Sequence, residues 1–109
     1  MAQDDMFVVM YKILAYIYDC NRRGVPPLSA EWNHEALGVP YLYWVQVVEE
    51  LAAKGYIAGV RVTHTKMGDA VFADRPRVTA DGVQFAQENT RMAKVRDFLR
   101  EAKATIPMI

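Results

Sequence analysis

The apolar residues of this chain change their spacing twice along its length, and that limits the folds open to it. From Phe7 to Leu51 they recur every three or four positions, from Val60 to Ala73 they alternate with polar ones, and from Val83 they return to the wider spacing. A period near 3.6 places side chains on one face of a helix, whereas a period of two places them on one face of a strand. A chain in this order is α+β, with helices before and after a single β-hairpin. Its 109 residues suffice for one ordinary core. A content of 52% hydrophobic and 24% charged residues is that of a globular chain and excludes a disordered one.

Asp4 or Asp5 is placed to cap a first helix. Its apolar stripe is Phe7, Met10, Tyr11, Leu14, Ile17 and Tyr18, with Lys12, Ala15 and Asp19 off it. Arg22 and Arg23 suit the negative end of the helix dipole, and Gly24 supplies a stop. Val25-Pro26-Pro27-Leu28 reads as an extended link, because each proline restricts the residue before it. A short second helix follows, capped by Ser29 or Asn33 and closed at Gly38. Pro40 fits the first turn of a third helix, with Trp44, Val45, Val48, Leu51 and Ala52 on its buried face and Gly55 at its end. The turn around Gly38-Val39-Pro40 has the length and chemistry of a helix-turn-helix.

Val60-Arg61-Val62-Thr63 and Ala70-Val71-Phe72-Ala73 read as the two arms of a hairpin, with a turn at Lys66 to Asp69 and a bulge at Gly59. Pro76 leaves Arg77-Val78 at best a short strand. Thr79 caps a fourth helix through Val83, Phe85 and Ala86, ending at Asn89, and Thr90 caps a last one. In that last helix Met92, Val95, Leu99 and Ala102 form a seam at heptad spacing. The sequence therefore predicts a winged helix-turn-helix over residues 1–89, made of three helices, a β-hairpin wing and a C-terminal helix. It also predicts a helical element over 90–109 that serves dimerisation or packing. The rival to a homodimer seam is a fold-back of this helix onto Phe7 or Met10.

Several segments resemble a known family. They are Leu37-Gly38-Val39, Trp44, Gly55-Tyr56-Ile57-Ala58-Gly59-Val60, Pro76-Arg77-Val78-Thr79-Ala80-Asp81-Gly82, and Phe85 through Glu88-Asn89. The pattern is similar to the YjcQ family, small winged-helix proteins of Gram-positive bacteria and their prophages. The resemblance runs from Tyr11 to about Leu99 and rests on structural glycines and core residues. It implies a fold and transfers no functional residue.

Thirteen basic and thirteen acidic side chains cancel, so the whole molecule has no strong field to draw nucleic acid or an anionic membrane. The one cysteine, Cys20, permits no internal disulfide and suits a reducing cytoplasm. Cys20, His34 and His64 lie more than ten residues apart, which is not metal-ligand spacing. The acidic start, Met-Ala-Gln-Asp-Asp, is unlike a secretory signal, and the unbroken apolar runs are far short of a membrane span. No nucleotide-binding, hydrolase or metalloprotease spacing occurs. The expectation is a cytoplasmic protein with no cofactor and no enzymatic activity.

Three surfaces are candidates for a partner. The outward positions of the third helix, Tyr41, Tyr43, Gln46, Glu49, Glu50 and Lys54, face a major groove if the fold binds double-stranded DNA. Yet Leu28 to Lys54 holds four glutamates and one lysine, a net of −3 that phosphates repel, so the face also reads as a solvated one. The wing carries Arg61, Lys66, Arg75 and Arg77 against Asp69 and Asp74, a net of +2, suited to phosphate or to protecting a strand edge. The last helix has a net of +3 from Arg91 onward, five basic residues against two acids, around the seam of Met92, Val95, Leu99 and Ala102. The reading these support is a winged-helix DNA-binding regulator of bacterial or prophage origin, acting as a homodimer. The alternative is a protein-interaction module on the same scaffold.

Overall fold

The computed structural model describes residues 1–109. Its first helix, α1 (Met6–Arg23), begins where the Asp5 carboxylate accepts the Phe7 N–H at 2.9 Å and ends where Gly24 turns left-handed at φ 71°. Nine of its eighteen residues are buried: Val8, Val9, Met10, Tyr11, Ile13, Leu14, Ala15, Ile17 and Cys20. So many cannot share one stripe. Ala15, placed by its spacing off the apolar face, is fully buried, because α1 is covered from two sides.

One side of α1 packs on the segment that follows it, residues 29–53. The expected second helix is two single turns, α2 (Ser29–Trp32) and α3 (His34–Leu37). They are separated by Asn33, whose extended backbone breaks the run and whose side chain accepts the Ala36 N–H at 2.9 Å. Gly38 closes α3 in the left-handed region. Pro40 stands just before α4 (Tyr41–Ala53), and Trp44, Val45, Val47, Val48 and Leu51 turn inward. The Trp44 indole N–H donates to the Trp32 carbonyl at 2.9 Å, which locks the split helix to α4.

The hairpin is longer than its alternation predicts. β1 (Ile57–Thr65) and β2 (Gly68–Val78) pair antiparallel from Ile57↔Val78 to Thr65↔Gly68, leaving only Lys66 and Met67 in the turn. The register slips at Gly59, as expected of a bulge. A Cβ on Gly59 would lie 2.5 Å from the Asp74 carbonyl oxygen, so only glycine fits there. Opposite it, Asp74, Arg75 and Pro76 have no partner in the register, which lets Pro76 sit in a strand without costing a ladder bond. Pairing then resumes, and Arg77 and Val78 belong fully to β2.

Thr79 caps α5 (Ala80–Glu88), accepting the Gly82 N–H at 3.1 Å. The last helix, α6 (Thr90–Glu101), is capped by Asn89, which accepts from Arg91 and Met92; Thr90 is its first residue, not its cap. Met92, Val95 and Leu99 have no exposed surface and pack on Val8, Tyr11 and Ala15 of α1. Ala102 lies beyond the helix, exposed. The seam read as a dimer interface is thus filled by the chain's own first helix: the rival fold-back holds at Phe7, together with Val8, Tyr11 and Ala15, whereas Met10 belongs to the cluster on the other side of α1. The reason is supply: α1 offers a second apolar side that a single stripe hides. The chain's end completes this layer, with the Ile109 N–H donating to the Tyr11 hydroxyl at 3.3 Å. No helix is long and apolar enough to cross a membrane.

Leu51 and Leu99, both fully buried on opposite sides of α1, should each cost ~2–5 kcal/mol when truncated to alanine, read by denaturant unfolding. A chain ending at Asn89 exposes Val8, Tyr11 and Ala15 and should lose cooperative unfolding. A well-folded monomer from that truncation would show instead that α6 is a detachable appendage.

Candidate interaction surface of the fourth helix and the hairpin

The solvent face of α4 consists of Leu42, Gln46, Glu49 and Ala53 at helical spacing. Gln46 and Glu49 were expected there. Leu42 was not, yet it is 61% exposed, because Trp44, Val48 and Leu51 fix the inward direction and leave Leu42 nearly opposite. Tyr43 is turned aside: half-buried, it donates its hydroxyl to the Asp4 carbonyl at 2.7 Å. Burial, then the nearby charges of Asp4 and Asp5, push its phenol above the ordinary value. Tyr43 holds the N-terminus down and is not on the outward face. Tyr41 sits at the border, edge-on to His34 with centroids 5.2 Å apart, and donates to the Asp69 carbonyl at 2.8 Å.

That last bond crosses to the hairpin, which lies along α4. Cross-strand partners share a face, so Val60, Val62 and Val71 point inward together, and His64 and Asp69 continue the same face toward the turn. There the His64 ring bridges two elements. Its Nδ1 meets Asp69 Oδ1 at 2.7 Å and its Nε2 meets Glu49 Oε2 at 2.5 Å. Only the imidazolium donates from both nitrogens. The hydrogen bond to Glu49, then that to Asp69, raises the His64 pKa. Read as a surface or capping residue, His64 had no acid at motif spacing. Its partner Glu49 is fifteen residues away and is brought in by the fold. The available signal was alternation, which puts His64 on the face of Val60 and Val62.

The outer face of the hairpin carries Arg61 directly across from Phe72, with the guanidinium 5.1 Å from the ring centroid. Phe72 is 51% exposed, and Met67, beside Lys66 in the turn, is 98% exposed. Lys66 lies at the end of the hairpin nearest Tyr41. Arg75 and Arg77 lie at the bulge and the base, the other end of the ladder. The structure therefore brings Tyr41 and Lys66 to the turn end of the hairpin, leaves Gln46 on the solvent face of α4, keeps Arg61 on the hairpin's outer face, and places Arg75 and Arg77 at the other end of the ladder. Arg61, Lys66, Arg75 and Arg77 have no carboxylate within 4.0 Å. The acids of α4 are partnered, Glu49 by His64 and Glu50 by Lys54 at 3.7 Å.

The sequence model of the family described as YjcQ protein matches residues 11–105. No curated protein and no solved structure matches the chain.

His64 gives a testable pH dependence. Its folded pKa is raised, so the clamp it makes is fully present below the ordinary value of 6.5 and is lost as pH rises through the folded value. An NMR titration of the ring should place its midpoint above 6.5, and Glu49→Gln should move it back down. A midpoint at or below the ordinary value would refute the clamp.

Proposed function

The chain belongs to the YjcQ family, and from its geometry we propose that it is a winged-helix protein that binds double-stranded DNA. It acts in the cytoplasm as a non-enzymatic regulator of bacterial or prophage origin. The observation that carries this reading is the docking of the hairpin's turn end along α4, through Tyr41 to Asp69 and through His64 to Glu49. A helix that is the second of a helix-turn-helix and is flanked by a basic hairpin is the arrangement that places one element in the major groove and the other along the backbone.

In this reading Gln46 is the base-reading side chain, since its amide matches the paired donor and acceptor of adenine, and Leu42 suits a thymine methyl. Lys66 and Arg61 supply phosphate contacts, having no carboxylate to satisfy them within the molecule. The balanced net charge makes non-specific attraction weak, so binding depends on this local segregation.

A second reading, a protein-interaction module on the same scaffold, draws on the exposure of Leu42, Met67 and Phe72, large apolar side chains on the α4 and hairpin surface. Fluorescence anisotropy with short duplexes separates the two. If DNA binds, Arg61→Ala with Lys66→Ala should flatten the log–log salt dependence by about 0.9 per lost contact. Absence of binding to any duplex at low salt, genomic fragments included, would give the surface to a protein partner.

A further inference from the structure

The two arginines that the α4 surface leaves out line a cleft of their own. It lies between the end of α1 and the base of the hairpin and has a volume of about 460 Å³. Its origin is visible in the backbone. Asn21, near the end of α1, donates its amide to the Pro76 carbonyl at 3.2 Å and accepts the Val78 N–H at 2.9 Å. One side chain thus makes both bonds that a neighbouring strand would make at this edge of β2. The segment that follows, Val25-Pro26-Pro27, has prolines without N–H groups and forms no strand beside β2. A gap remains between them, walled by Val25 and Pro26 on one side and by Arg75 and Arg77 on the other.

The bulge shapes that second wall. Arg75 has φ 52°, in the left-handed region, and is lifted out of the ladder opposite Gly59. Arg77 follows two residues later, paired with Ala58. Neither guanidinium has a carboxylate within 4.0 Å, whereas Arg23 nearby is taken up by Asp19 at 3.0 Å. Two arginines that line one surface and have no internal counter-ion suit an anion bound beside them. A guanidinium fork matches a phosphate, bonding two of its oxygens at once.

We propose that the cleft between Asn21, Val25 and the Arg75/Arg77 pair binds a phosphate oxyanion. The site does not rest on the DNA-binding reading. Ala58, the partner of Arg77, is seven residues from Thr65 along β1, about 23 Å from the turn at strand rise. The phosphate comes either from a free phosphorylated compound or from a nucleic-acid backbone, and the chemistry of the site is the same for both.

The test is an NMR titration of the full chain with sodium pyrophosphate at constant ionic strength. Saturable shifts are expected at the Arg75 and Arg77 side-chain N–H groups and at the Gly24 and Val25 amides, with Arg61 and Lys66 unmoved. Arg75→Gln with Arg77→Gln should weaken binding by about tenfold or more at unchanged melting temperature. Arg75→Lys with Arg77→Lys, which keeps charge but loses the forks, should also weaken it. A short duplex titrated into the same variants identifies the source. Weakened duplex binding assigns the site to backbone phosphate, and intact duplex binding with lost pyrophosphate binding assigns it to a free compound. Shifts that never saturate, or that spread equally to Arg61 and Lys66, overturn the proposal. So does a glutamine variant that binds pyrophosphate as the parent does.

Discussion

Everything in this molecule depends on the burial of α1 from two sides. Val9, Ile13, Leu14 and Ile17 belong to the cluster shared with α4, the hairpin and α5, whereas Val8, Tyr11 and Ala15 belong to the cluster shared with α6 and the last residues. A helix that is apolar nearly all round has no stable place at a surface. It must be wrapped, and the wrapping fixes where every other element goes. The α2–α3–α4 segment closes one side and α6 the other, so the hairpin is left to pack along α4 with its outer face in solvent.

The parts of the fold readable from sequence are those set by local chemistry. Asp5, Gly24, Gly38 and Thr79 act as caps or stops because a cap involves only the few residues around it. The bulge at Gly59 was readable for the same reason, since glycine within an alternating run marks a place where no side chain fits. The parts that were hidden depend on tertiary neighbours. Ala15 looked like a solvent position until α6 covered it. Asn89 and Thr90 are both good caps, and the helix takes the first, whose side chain accepts from Arg91 and Met92. Tyr43 lies at a helix border, and the N-terminal backbone at Asp4 draws it aside.

The candidate surface was legible in composition and not in arrangement. Its basic residues were found by charge counting, but counting could not show that the hairpin's pairing register sends Lys66 to one end and Arg75 and Arg77 to the other. Nor could it show that the acids of α4 are partnered. The net charge of that segment is the same folded or unfolded, yet the field it projects is not. Glu49 held by an imidazolium and Glu50 held by Lys54 present less negative potential than two free carboxylates.

That pairing links His64 to the surface it stabilises. Protonated, it offsets Glu49 and Asp69 beside the exposed residues of α4. Deprotonated, it leaves an extra negative charge there, close to where a duplex phosphate would pass. The raised pKa means the change occurs above 6.5, with the favourable form on the acid side. If the chain binds duplex DNA as proposed, its affinity at fixed salt should therefore fall as pH rises through the His64 titration, whereas a His64→Gln variant should show a flatter profile. Equal profiles for the two would mean that phosphates do not approach this side of α4, and would leave Arg61 on the outer face of the hairpin and Lys66 in its turn as the whole of any DNA contact.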